Sequence, residues 1–161
     1  MADVFESLGI SEMDMMSAMD EMRASAAKSE SSDWKSVLLA NVQSLSELHA
    51  GWDGPGSVPV GEKLLLRAVF CVETALTGLT DVTAPRLVPG GDGCVQIEWH
   101  SVWGEIKFDI DDEGQVWMWG RDHLRGFEFH DEGEAALALL YEWAPLIAAR
   151  RRDPDHGWRR R

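Results

Sequence analysis

Residues 94–130, CVQIEWHSVWGEIKFDIDDEGQVWMWGRDHLRGFEFH, contain four short runs in which apolar and polar side chains alternate. In a β-strand, such alternation places every second side chain on the same face. If the loop SVWG joins the first two runs as a hairpin, Trp99 pairs with Ile106. The same register sets Glu98 opposite Lys107, which is a favourable cross-strand pair. The stretch therefore predicts a four-stranded antiparallel meander.

One face of this meander is predicted to be apolar and aromatic. Its members are Val95, Ile97, Trp99, Ile106, Phe108, Ile110, Trp117, Trp119, Phe127 and Phe129. An apolar sheet face has to be covered, and amphipathic helices are the elements available to cover it. We therefore expect an α+β fold in which helices pack on one face of the sheet, with an N-terminal helical extension.

Three segments outside the meander have apolar residues at helical spacing. The first, capped by Asp33, carries Trp34, Val37, Leu38, Val42, Leu45 and Leu48; the second, residues 62–77, carries Leu65, Ala68, Val69, Val72 and Leu76; the third carries Ala136, Leu139, Leu140 and Trp143. Together with the meander they predict an α+β domain over residues 34–149. Residues 1–33 and 150–161 are assigned to an acidic Met-rich helix with a Ser-rich linker and to an Arg-rich tail.

Methionine is concentrated in the N-terminal segment. Ser11 followed by Asp14 is typical of a helix capping box. In the helix that follows, Met15, Met19 and Met22 lie on one face, and Met16 lies beside them. Methionine is common on surfaces that adapt to partners. This helix is expected either to pack on the domain or to detach and dock into a partner's groove.

Charge is distributed unevenly along the chain. The formal net charge is −13, from 15 basic and 28 acidic side chains. The last twelve residues hold six arginines against two aspartates, a local +4, so residues 1–149 carry −17. Such a body repels a phosphate backbone and attracts a basic partner. We expect a basic protein partner and no direct nucleic-acid binding by the body.

The number of cysteines and the hydropathy of the chain indicate its cellular compartment. The two cysteines, Cys71 and Cys94, are too few for a disulfide framework. No apolar run approaches the ~20 residues that span a bilayer, and the N-terminus lacks a signal-peptide pattern. A cytoplasmic location without membrane contact is therefore expected, and the oligomeric state stays open.

The loop GWDGPGSVP, residues 51–59, is dense in glycine and proline. Small residues around Trp52 and Asp53 predict a tight path between two helices, in which Asp53 bonds nearby backbone N–H groups. Together with the strand VQIEW and the segment PGGDG, this loop resembles a set of small bacterial proteins with a G-W-D-G-x-G-x-x-P loop. The resemblance spans about residues 45–109 and implies no established activity.

Patterns for catalysis and metal binding are incomplete in the sequence. Residues 109–114 resemble the start of an EF-hand loop, but Gly120 stands where the bidentate glutamate is required. Residues 56–61 have the glycine spacing of a P-loop, yet Glu62 follows in place of lysine. The five histidines show no metal-ligand spacing, and no nucleophile motif is present. We therefore expect no catalytic residue, metal or cofactor.

Protein binding is the function class that these observations favour. The first hypothesis is a non-enzymatic inhibitor or adaptor, antitoxin- or immunity-like, that acts on a basic partner by occlusion. A small hydrolase or nucleotide-handling enzyme and a DNA-mimicking inhibitor stay open as alternatives. Tryptophan is enriched among the residues that dominate interfaces. The residues expected to contact the partner are Met15, Met16, Met19, Met22, Trp52, Asp53, Trp103 and Trp158.

Overall fold

A five-stranded antiparallel sheet forms the centre of the fold. The computed structural model describes residues 3–27 and 34–149. The strands, which lie side by side in chain order, are β1 (Arg86–Pro89), β2 (Val95–His100), β3 (Gly104–Ile110), β4 (Val116–Asp122) and β5 (Phe127–Glu132). The α+β meander predicted from the sequence is therefore present, with one strand more than expected.

The additional strand is β1, at the edge of the sheet. The sequence predicts a connection here, but Leu87 pairs with Ile97 and Pro89 pairs with Val95. Four residues that end in proline show too little alternation to indicate a strand. Proline is tolerated on an edge strand because one side of that strand needs no ladder hydrogen bond. The expectation of four strands was wrong for this reason.

The register predicted for the central hairpin is confirmed. Trp99 pairs with Ile106, and Glu98 pairs with Lys107 on the opposite face. The side chains of Ile97, Ile106 and Phe108 are fully buried. The loop of four residues and the alternation on both strands act together here, because a slip by one residue would turn every apolar side chain outward.

The faces of β4 are reversed relative to the prediction. Met118 is fully buried and pairs with Phe108, whereas Trp117 is 42% exposed and Trp119 is half-buried on the outer face. The run VWMWG is apolar at nearly every position, so its alternation does not define one inner face. The ring of Phe129 occupies the space where Gly120 has no side chain. The assignment of Trp117 and Trp119 to the core was wrong.

The described residues contain five helices. They are α1 (Val4–Ser7), α2 (Glu12–Ala26), α3 (Trp34–Ser46), α4 (Glu62–Ala75) and α5 (Gly133–Ala148). Helix α5 contacts strands β2 to β5, α4 contacts β2, and α3 contacts β1. Val37 was expected in the buried stripe of α3 but is exposed, and the proposed cap Asp33 lies outside the described residues.

Helix α2 forms an additional layer on α3 and α4. The capping box is present, because the Ser11 side chain accepts a hydrogen bond from the Asp14 backbone N–H and the Asp14 carboxylate accepts one from Ser11. Met15, Met19 and Met22 are buried in the same core as the inner face of the sheet. The hydrophobic core therefore extends beyond residues 34–149 into the N-terminal segment.

Candidate protein-binding surface

The outer face of the sheet carries side chains that stay accessible. Along β2, β3 and β4 the inward positions are buried, while the alternate positions are half-buried or exposed. All of α2, α3, α4 and α5 contribute buried residues to the core on the other face. The sheet therefore presents one open face on which side chains are fixed by the strand register.

Two rows of side chains cross this open face. The Trp117 row consists of Gln96, Asp109, Trp117 and Glu132, which are paired in register on β2, β3, β4 and β5. The Trp119 row consists of Glu98, Lys107, Trp119 and His130, two residues further along the sheet. Directly opposed side chains in an antiparallel sheet have Cβ atoms about 5 Å apart. Each tryptophan is therefore flanked by two polar side chains of defined identity.

A groove opens beside the Trp117 row. Its volume is about 410 Å³, and its lining residues are Asp109, Asp111, Gln115, Val116, Trp117, Glu132 and Gly133. The Asp111 carboxylate is held in the hairpin turn, where it accepts a hydrogen bond from the Gln115 backbone N–H at 2.7 Å. The groove thus combines one exposed indole ring with three carboxylates.

Asp109 lies in an environment that disfavours its negative charge. Burial raises the pKa of this carboxyl, while a hydrogen bond from the Gln96 amide, 2.8 Å long, acts in the opposite direction. The nearby carboxylates of Glu98 and Asp92 also raise the pKa of Asp109, and the ammonium group of Lys107 lowers it. Within the part of the chain that the structure describes, neither Asp109 nor Glu132 has an ion-pair partner within 4.0 Å. Both carboxylates are available to a cation.

The hairpin between β3 and β4 extends this negative surface. Asp111, Asp112 and Glu113 form its tip, next to the groove. We name Asp109, Asp111, Asp112, Glu113 and Glu132 together the acidic end of the sheet. Charges of one sign that are concentrated at one end of a molecule steer oppositely charged partners to that end.

The other end of the sheet carries exposed apolar side chains beside charged ones. A small cavity of about 110 Å³ there is lined by Trp103, Asp122, Leu124, Arg125, Trp143, Leu146 and Ile147. Val102 is 80% exposed, and Leu124 and Leu146 are exposed as well. Trp103, expected from the sequence to contact a partner, is therefore part of an exposed apolar patch. This patch lies at the opposite end of the strands from the acidic groove.

The loop that carries Trp52 and Asp53 is closed by hydrogen bonds between its own residues. The Trp52 indole N–H donates to the Val58 carbonyl, and the Asp53 backbone N–H donates to Ser57 Oγ. Val58 N–H in turn donates to the Gly91 carbonyl at 2.9 Å, so the loop GWDGPGSVP docks on the segment PGGDG. Ser57 makes the turn-closing hydrogen bond that the sequence assigned to the Asp53 carboxylate.

The methionine stripe is covered in this structure. Met15, Met19 and Met22 are buried, so their side chains contact the core and are not accessible to a partner. Met16, beside this stripe on α2, is 51% exposed. Trp158 lies outside the described residues. Among the described members of the set expected to bind a partner, three methionines are therefore not on the surface.

The groove residues Asp109, Trp117 and Glu132 were missed from the sequence. The reason is the reversed face of β4, since Trp117 was assigned to the core. The length of the β3–β4 turn could have identified these residues, because it pairs Ile110 with Val116 and thereby turns Trp117 outward. Short turns fix strand register and thereby the face on which each side chain lies.

The two cysteines are not activated as nucleophiles. Burial raises the pKa of the Cys71 thiol, and the Tyr141 phenol beside it has a raised pKa for the same reason. Burial and the neighbouring Asp92 raise the pKa of Cys94 to about 12. A thiol is nucleophilic as the thiolate, so a raised pKa disfavours nucleophilic attack by either group at neutral pH. Among residues 3–27 and 34–149, no group of three or more potential ligands could hold a metal ion.

No family model, curated protein or solved structure matches this chain. In the described ranges no helix is both long and apolar enough to span a membrane.

Proposed function

We propose that this protein is a non-enzymatic inhibitor or adaptor, antitoxin- or immunity-like, that binds a basic protein in the cytoplasm and occludes its surface. The observation that supports it is the open sheet face, where the exposed Trp117 stands between the carboxylates of Asp109 and Glu132, neither of which has an ion-pair partner within 4.0 Å among the described residues.

The composition of this face suits a protein partner. Interfaces are commonly built from a few aromatic anchors surrounded by polar residues, and tryptophan is prominent among the anchors. Trp117 and Trp119 stand two residues apart on β4, with charged or polar side chains on both neighbouring strands. A rigid sheet holds these side chains in place before binding, which lowers the entropic cost of association.

Charge selects the kind of partner. Residues 1–149 carry −17, and the acidic end concentrates part of that charge beside Trp117. A basic protein surface is attracted to this end at long range, whereas a phosphate backbone is repelled. The partner we propose is therefore a basic protein, which the sheet face covers.

Affinity capture from the native host with the full chain tests this proposal. We expect one basic protein to be retained at low salt and released as the salt concentration rises, because screening weakens exposed charge pairs. Trp117→Ala should abolish retention, while the matched change Val102→Ser at the apolar end should not.

The open alternatives give different results in the same experiment. Turnover of a small molecule without a partner would favour the hydrolase or nucleotide-handling enzyme. A captured DNA-binding protein that DNA releases from the complex would favour the DNA-mimicking inhibitor. A partner that Val102→Ser releases and Trp117→Ala retains would contradict the proposed surface.

A further inference from the structure

We propose that the groove of the Trp117 row is a site for the guanidinium group of an arginine side chain in a basic peptide segment. This inference rests on the proposed function and names the chemical group that the surface recognises. The site consists of the indole ring of Trp117 with the carboxylates of Asp109 and Glu132 on either side.

The register defines how these three groups are arranged. Trp117 pairs with Asp109 on β3 and with Glu132 on β5, so both carboxylates flank the ring on the same face. A planar guanidinium stacks on an indole ring and donates hydrogen bonds from its edge to carboxylates. The volume of about 410 Å³ is ample for one such side chain.

The electrostatics of the groove favour a cation. Gln96 donates to Oδ1 of Asp109 and fixes the orientation of that carboxylate, and Asp111 adds a further negative charge to the lining. Neither Asp109 nor Glu132 is neutralised by a cation of the described chain within 4.0 Å. An incoming guanidinium would supply a positive charge between the partly desolvated carboxylate of Asp109 and the exposed carboxylate of Glu132.

The neighbouring tryptophan provides an internal comparison. Trp119 lies on the same strand and face, but it pairs with Lys107 and His130 in place of two carboxylates. The ammonium group of Lys107 acts on Asp109 as well, but it stands directly opposite Trp119 and only diagonally to Trp117, so it repels a second cation more strongly at Trp119. A guanidinium should therefore bind at Trp117 and not at Trp119, although both rings are on the open face.

Titration of the full chain with an acetylated, amidated tetra-arginine peptide tests the site. The indole N–H signals of Trp117 and Trp119, assigned from Trp117→Phe and Trp119→Phe, are followed by NMR. We expect the Trp117 signal to shift and the Trp119 signal to stay. The isosteric tetra-citrulline peptide, which lacks the charge, should leave both signals unchanged.

Two variants separate this site from general attraction between opposite charges. Asp109→Asn with Glu132→Gln should weaken peptide binding about tenfold, since two partly exposed ion pairs are lost. Asp112→Asn with Glu113→Gln removes the same charge from the hairpin tip and should weaken binding much less.

Trp117→Ala should weaken peptide binding about fourfold through loss of the cation–π contact.

The outcomes distinguish this inference from the proposed function. Equal weakening by the two double variants, or an equal shift of both indole signals, would overturn the arginine site while partner capture could still succeed. Peptide binding at Trp117 together with a native partner that is indifferent to Trp117→Ala would support the site and contradict the proposed function.

Discussion

The carboxylate of Asp3 accepts a hydrogen bond from the guanidinium of Arg67, 64 residues further along the chain. Arg67 is only 1% exposed, and the ring of Phe5 lies 4.9 Å from its guanidinium carbon. Burial lowers the pKa of Arg67, and its Nε and Nη1 atoms make no hydrogen bond within the described residues. Asp3 therefore pairs directly with a buried positive charge, on which the Asp111 carboxylate acts as well, and it ties the N-terminal segment to α4.

Removing the Asp3 carboxylate should destabilise the protein strongly. Asp3→Ala leaves Arg67 buried without its partner, and such a loss costs about 3–5 kcal/mol of unfolding free energy. The double variant Asp3→Ala with Arg67→Met removes the buried charge as well and should be more stable than Asp3→Ala alone. Urea denaturation of Asp3→Ala, Arg67→Met and the double variant measures the coupling free energy between the two side chains. Additive losses of unfolding free energy would contradict the interaction.

Adjacent residues on β4 should respond very differently to truncation. Trp117→Ala removes a ring from the open face and should cost less than about 1 kcal/mol, as surface substitutions usually do. Met118→Ala leaves a cavity in the core and should cost about 2–5 kcal/mol. Chemical denaturation checks both values. A larger loss of unfolding free energy for Trp117→Ala than for Met118→Ala would indicate that Trp117, as the sequence predicted, is the residue in the core.

Helix α2 should behave as part of the folded core in the free protein. Serine in place of Met15, Met19 and Met22 should lower the melting temperature clearly, because three buried side chains lose their apolar contacts. Met16→Ser, on the exposed side of the same helix, is the matched control and should have little effect. Amide hydrogen exchange over residues 12–26 should show protection without a partner, and its absence would favour the detachable docking helix.

Local patterns in the sequence predicted the parts of the fold that depend on neighbouring residues. The capping box of Ser11 and Asp14 lies within four residues, and the pairing of Trp99 with Ile106 follows from a four-residue loop. In both cases the decisive interactions are close in sequence, so alternation, spacing and turn length are sufficient.

The features that were missed depend on contacts between distant segments. The burial of Met19 requires the surface of α4, and the role of Asp3 requires Arg67. The outward position of Trp117 depends on which of two apolar sets on β4 meets the helices. Sequence alone could identify the acidic character of the protein, but not the register that places Asp109 beside Trp117.

Asp109 should reduce the stability of the protein at neutral pH. Because the pKa of Asp109 is raised in the folded state, folding favours the protonated carboxyl. The resulting loss of folding free energy is absent below the pKa that this carboxyl has in the unfolded chain, and it is complete above its pKa in the folded protein. Asp109→Asn retains an acceptor for Gln96 and should raise the melting temperature at pH 7, with the gain disappearing at low pH. Asp112→Asn, which changes the net charge equally, is the control. A gain that persists at low pH would contradict the charge penalty.

Removing the Arg-rich tail should strengthen the attraction of basic ligands. The tail contributes +4, so a chain that ends at Ala149 carries −17 in place of −13. At low ionic strength this chain should bind tetra-arginine peptide more tightly than the full chain, because long-range attraction grows with net charge. In about 1 M salt the Debye length is near 3 Å, and the two affinities should converge. Calorimetric titration across a salt series measures the difference, with circular dichroism to verify that the shortened chain is folded. If affinity were independent of salt in both chains, apolar contacts and not charge would drive the association.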